Sequence, residues 1–130
     1  IKHSKPDIVV LDMGDKFALK TSDKSDVYLK AAAIHARNIA KKYDCAIIWM
    51  SQLSADAQDK VYLDQSMLEG SKTGKAAEAD LMLLIAKNQV TEGDDEDNQR
   101  HINVAKNKLK GGWHGVVHCE LDGGRSQYLA

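Results

Sequence analysis

A chain of 130 residues holds one domain at most, since a single core serves roughly 100–150 residues. Its 43% apolar and 28% charged residues exclude a disordered class. Two cysteines, with no apolar run of about 18 residues, exclude a disulfide-stapled secreted module and a helical membrane protein. The net charge is −1, but Glu92, Asp94, Asp95, Glu96 and Asp97 form one acidic run; without it the balance is +4, which leaves room for a basic surface facing nucleic acid. A cytoplasmic location is expected, because no targeting segment is recognisable.

The chain opens at Ile1 without a methionine and reaches its first strand at Ile8, an abrupt start that points to a fragment. Ile8–Leu11 is a continuous, β-branched apolar run after Pro6, which predicts a central parallel strand covered by helices on both faces and ended by Asp12. Thr21, Ser22 and Ser25 offer N-cap oxygens for a helix to about Tyr43. Leu29, Ala32, Ala36, Ile39, Ala40 and Tyr43 form its apolar stripe, and Lys30, Arg37 and Lys41 face water. Residues 46–50 make a second apolar strand that closes on Ser51-Gln52, completing a βαβ unit.

Residues 53–70 are mostly polar and too long for a simple connection, which marks a functional loop. Residues 75–79 predict a short helix and 81–85 a strand, while the acidic run within 90–100 reads as a solvated hairpin loop. Residues 102–105 begin a strand that Gly111-Gly112 break. Residues 116–121 and 127–129, around Asp122-Gly123-Gly124, then form a terminal hairpin. The expected architecture is α/β, with a mostly parallel sheet and an antiparallel C-terminal β-hairpin extension, and residues 1–130 form part of one domain.

Four apolar residues ending in Asp12 make a Walker B pattern, in which a carboxylate at the carboxyl end of a strand orients Mg²⁺ and its waters beside phosphate. The same stretch is similar to the phospho-acceptor strand of response-regulator receivers. Their upstream acidic pair, their Pro-containing loop and their late Lys-Pro are all missing here, and Pro6 is the only proline. Gly70 to Lys75 mimics a phosphate-binding loop, but three residues separate its glycines instead of four, Lys75 is followed by Ala76, and a strand follows the segment instead of preceding it. His114 and His118, about 13 Å apart on an extended strand, are too distant to chelate one metal. Trp49 belongs to a buried strand, while Trp113 is a candidate for stacking on a base.

Ser51-Gln52-Leu53-Ser54, directly after the second strand, resembles the Ser-Gln-Leu sensor segment of DnaB-type replicative helicases. The run from Leu68-Glu69-Gly70-Ser71 through a short helix to Ala79-Asp80 before an apolar strand is similar to the same family. The resemblance extends from Asp12 to about Tyr128 and implies a RecA-like P-loop NTPase core that uses ATP and Mg²⁺, in a hexameric ring on single-stranded DNA, of DnaB or phage type. It assigns Asp12 to Mg²⁺ through water and Gln52 to the terminal phosphate, a role suited to an amide that both donates and accepts. Lys60 and Lys72 are then expected to contact DNA.

Lys106 and Lys108, two apart at a strand end, are expected to act on a neighbouring subunit's ATP. The family carries Lys-x-Arg there, whereas Lys106-Asn107-Lys108 resembles the RecA recombinases. Strand exchange therefore stays open, as does a non-enzymatic assembly module that binds nucleotide. The Walker A loop and the glutamate base, which the family places upstream, are missing, so the chain alone is expected not to hydrolyse ATP.

Overall fold

The computed structural model describes residues 5–16, 25–69, 72–87 and 98–129. The chain divides into two compact units, one of residues 1–54 with 68–78 and one of residues 55–67 with 79–130.

In the first unit, β1 (Ile8–Leu11) and β2 (Ala46–Trp49) pair in parallel with Leu11 opposite Trp49, joined through α1 (Ser25–Tyr43). This is the βαβ unit expected from two short apolar runs flanking a helical stripe. The stripe on α1 centres on Leu29 and Ala33, both buried, with Ala36, Ile39 and Ala40 half-buried. Asp44 adopts φ 52° just past the helix, and the N–H of Cys45 reaches back to the carbonyl of Ala40 at 3.1 Å. That is the left-handed cap by which helices satisfy their last carbonyls.

The second helix of this unit, α2 (Lys72–Glu78), packs on α1. Arg37 does not face water as its position in the sequence pattern predicts. Its guanidinium donates to the carbonyl of Glu78 and lies 3.8 Å from the Glu78 carboxylate. A cation at the last carbonyls of a helix meets the negative end of the helix dipole, and its aliphatic stem covers apolar surface.

Coverage of β1 on both faces is also corrected. Ile8 and Val10 are 58% and 53% exposed while Val9 and Leu11 are half-buried. Burial alternates along β1 because successive side chains point to opposite faces and only one face is covered among the described residues.

The second unit is a four-stranded antiparallel sheet in the order β3 (Leu81–Lys87), β4 (Gln99–Asn107), β5 (Gly115–Asp122) and β6 (Gln127–Leu129). Only the β1–β2 pairing is parallel among the described residues, so the expected mostly parallel sheet is replaced by a small parallel pair and a larger antiparallel sheet. The physical reason lies between Lys87 and Gln99. A parallel neighbour needs a long crossover, usually helical, whereas this stretch is acidic and lacks helical apolar spacing, so the chain returns antiparallel. The acidic run itself lies outside the described residues, as do Thr21 and Ser22.

Met82, Leu84 and Ala86 of β3, with His101 and Asn103 of β4, form the buried face of this sheet. Asn103 ties residues 61–63 to it: its Oδ1 accepts the N–H of Leu63 at 3.1 Å and its Nδ2 donates to the carbonyl of Val61 at 3.0 Å. Gly111, at φ 97°, supplies the left-handed backbone that turns the chain between β4 and β5. No helix among the described residues is long and apolar enough to cross a membrane.

Candidate functional site

Parallel pairing sends β1 and β2 out at the same edge, so the residues after each strand become neighbours. The N–H of Met50 bonds the carbonyl of Leu11 at 3.1 Å, and the N–H of Gly14 bonds the carbonyl of Met50 at 2.9 Å. Asp12 leaves β1 at this edge and Gln52 leaves β2 there, both with exposed side chains. Between Asp12 and Gly14 the chain turns through Met13 at φ 53°, a conformation that costs a non-glycine residue about 1–2 kcal/mol. Gly14 must follow: a Cβ there would lie 2.5 Å from the Trp49 indole.

Beneath these residues lies a polar knot that sequence reasoning did not find. The Asp15 carboxylate accepts from Trp49 Nε1 at 3.0 Å, from Ser51 Oγ at 2.6 Å and from Lys75 Nζ at 2.9 Å. Lys75 also donates to Ser51 Oγ at 2.6 Å. Burial works to raise the pKa of Asp15, but the hydrogen bonds from Ser51, Lys75 and Trp49 and the charge of Lys75 together hold it below the ordinary 3.8. The Lys75 side chain, 7% exposed, is nearly enclosed. A lysine at such burial needs a partner, and Asp15 supplies it. No local signal announces a pair separated by 60 positions; the only hint is a lysine between Gly74 and Ala76 in a helix of small residues.

The knot fixes which groups are left for chemistry. Asp15 is occupied by a cation and two further donors, so Asp12 is the carboxylate available at this edge. Mg²⁺ commonly takes one or two carboxylates and completes its octahedron with water and substrate phosphates. That pattern fits a lone Asp12, and among the described residues no group of three or more His, Cys, Asp or Glu offers a protein-only metal cage. Asp12 would hold the ion through water, and the ion would neutralise phosphate charge. Gln52 stands on a held backbone: its carbonyl accepts the N–H of Glu69 at 3.1 Å, and Leu53 bridges antiparallel to Leu68. The 53–70 loop therefore starts from a closed stem immediately after Gln52.

The remaining candidates lie elsewhere. Lys106 is on β4 opposite Met82, half-buried, and Lys108 stands just past the strand end, exposed, with its N–H on the carbonyl of Asp80 at 2.8 Å. The pairing slips between Met82 and Leu83, leaving Ala105 as an extra residue just before Lys106. Lys60 is exposed after a tight turn through Asp59 at φ 59°. Lys72 opens α2, and its side chain lies outside the described residues. Lys106, Lys108 and Lys60 belong to the second unit, whereas Asp12, Gln52 and Lys72 belong to the first. The mimic of a phosphate-binding loop runs into α2 ahead of β3, with its lysine bound to Asp15.

No protein-family model and no curated protein sequence matches the chain. Among solved structures it is similar to a DnaB-like helicase ATPase domain, with a TM-score of 0.77 and 18% identity, covering 94% of this chain and 43% of that one. It is equally similar to a DnaB-like replicative helicase solved for its interactions with primase, at a TM-score of 0.77 and 18% identity, covering 94% of this chain and 29% of that one. The chain thus spans less than half the length of each. A likeness so extensive at so low an identity is one of backbone architecture, and the chain has the fold of DnaB-like helicase ATPase domains.

Proposed function

We propose that this chain is the part of an ATP-driven replicative DNA helicase motor that carries the Mg²⁺ carboxylate and the phosphate sensor, in a hexameric ring of RecA-like P-loop domains moving on single-stranded DNA. The observation that carries this is the juxtaposition of Asp12 and Gln52 at one edge of a parallel strand pair, with the stem of a long loop closed directly behind Gln52. Ligands of open α/β sheets bind outside the carboxyl ends of the strands, where this pair stands.

In this reading Asp12 orients Mg²⁺ through water, Gln52 bonds the terminal phosphate of ATP, and Lys106 and Lys108 act in trans on a neighbouring subunit's ATP. Lys60 and Lys72 face the DNA backbone, whose affinity for a protein rests on cations. In the full-length protein, Gln52→Ala is expected to keep nucleotide binding and lose stimulation of ATPase by single-stranded DNA. A variant still fully stimulated would reduce Gln52 to a turn residue.

A second reading, a strand-exchange recombinase of related fold, is favoured by Lys106-Asn107-Lys108. The two separate by assay: a helicase unwinds a forked duplex with ATP, whereas a recombinase pairs a single strand with a homologous duplex.

A further inference from the structure

In the second unit, His101 of β4 stands directly opposite His118 of β5. Leu121 donates to the Asn98 carbonyl at 2.7 Å, which marks residues 98 and 121 as a hydrogen-bonded pair. Antiparallel pairs alternate, so 101 and 118, three positions along, form a non-hydrogen-bonded pair, the kind whose side chains lie closest. The two rings meet edge to face at 83°, with centroids 4.8 Å apart, and the two Nδ1 atoms are 2.6 Å from one another. His101 is buried and His118 exposed. One nitrogen is therefore held by the sheet and the other is open to solvent.

We propose that His101 and His118 form a two-imidazole chelate for a divalent transition-metal cation, bound through both Nδ1 atoms with water completing the coordination. Imidazole nitrogen is a preferred ligand for Zn²⁺, Cu²⁺ and Ni²⁺. At metal–nitrogen distances of about 2.0–2.1 Å, two ligands at right angles stand about 2.9 Å apart and two at the tetrahedral angle about 3.3 Å apart. The observed 2.6 Å must open by a few tenths of an ångström for the first geometry and more for the second. A cation with right-angled sites, such as Ni²⁺ or Cu²⁺, therefore fits best. The exposed His118 ring can make this adjustment while His101 stays seated.

Burial, and next the proximity of His118, lower the pKa of His101, which keeps its imidazole in the neutral form a metal requires. Glu120, two residues along β5, shares the face of His118 and adds negative charge near a bound cation. Both histidines belong to the second unit, and the site is independent of the proposed motor chemistry.

The test is calorimetric titration of the 130-residue chain with Ni²⁺, with the histidine ring signals followed by NMR. One ion is expected to bind with micromolar affinity, broadening the His101 and His118 signals together, and to raise the melting temperature. Because a second ligand on a fixed frame acts at high effective concentration, His118→Gln is expected to weaken binding about 100-fold. His35→Gln and His114→Gln are expected to leave it unchanged. His118 is exposed, so its replacement leaves the buried face of the sheet intact. Millimolar binding only, equal weakening by His114→Gln, or the same affinity in chain unfolded by urea would overturn the proposal, whatever the ATPase tests return.

Discussion

Replacing Lys75 by Met keeps the aliphatic stem and removes the charge from the Asp15 knot. Breaking a buried pair from one side costs about 3–5 kcal/mol when the other charge is stranded. Asp15 is not fully stranded, for its side chain is 22% accessible and it keeps the Trp49 and Ser51 donors. What is lost outright is one charge-assisted bond to Asp15 and one to Ser51, each about 1.5–3 kcal/mol before water enters. The expected net loss is about 2 kcal/mol. Asp15→Asn should cost about as much or more, because the ammonium it abandons is more deeply enclosed than the carboxylate, with side chains 7% and 22% exposed.

The double variant strands neither charge, so its loss should fall short of the sum of the singles by at least about 1 kcal/mol. Urea unfolding followed by Trp49 fluorescence, in a Trp113→Phe background, measures each corner of the cycle. Additivity within about 0.5 kcal/mol would show that the two side chains do not interact and would refute the account of the knot.

Other perturbations follow from the same geometry. Gly14→Ala places a Cβ 2.5 Å from the Trp49 indole and should cost about 1–3 kcal/mol with a shift in Trp49 emission, read by the same unfolding curves. Asn103→Leu leaves the N–H of Leu63 and the carbonyl of Val61 without their side-chain partner; a loss of about 2–3 kcal/mol and faster hydrogen exchange at residues 61–63 are expected. The folded pKa of His101 lies below its ordinary 6.5, so the unfolded chain takes up a proton that the native chain resists. This contribution to stability is complete above about pH 6.5 and is lost as the pH falls through that value towards the folded pKa. Urea midpoints at about pH 7.5 and 5.5 should differ less in His101→Gln than in the parent.

Local features are legible in the sequence where they depend on neighbouring residues. The β1–α1–β2 unit can be read because β-branched runs and a helical stripe are patterns of adjacent positions, and the turn at Gly111-Gly112 because left-handed backbone favours glycine. Pairings between distant positions are not legible. Nothing near Lys75 names Asp15, and nothing near His101 names His118; only the strand register brings the second pair face to face. Spacing along the chain sets His118 beside His114, whereas its partner lies across the sheet. Arg37 looks like a solvent residue because its period on α1 is polar, yet α2 ends where its guanidinium reaches. The exposed alternate face of β1 is hidden for another reason: a continuous apolar run shows that a strand can be buried on both faces, not what covers it.

The helicase reading asks how the state of a phosphate at Gln52 would reach lysines that belong to the other unit, and the covalent path offers a short answer. Gln52 holds Glu69 through its carbonyl, and Leu53 bridges Leu68, so both ends of the intervening segment are clamped one or two residues from the sensor. Between those clamps the segment carries Lys60 and is bound at residues 61–63 by Asn103. Asn103 sits on β4, the strand that continues to Lys106 and ends before Lys108. A displacement of the Gln52 backbone thus has a hydrogen-bonded route to every basic side chain of the second unit that the proposal uses. The route predicts non-additivity: Gln52→Ala and Asn103→Leu, combined in the full-length protein, should lower DNA-stimulated ATPase by less than the product of their separate effects. Residues serving one path lose its function only once. Independent, multiplicative losses would mean that the signal, if it exists, travels by another way.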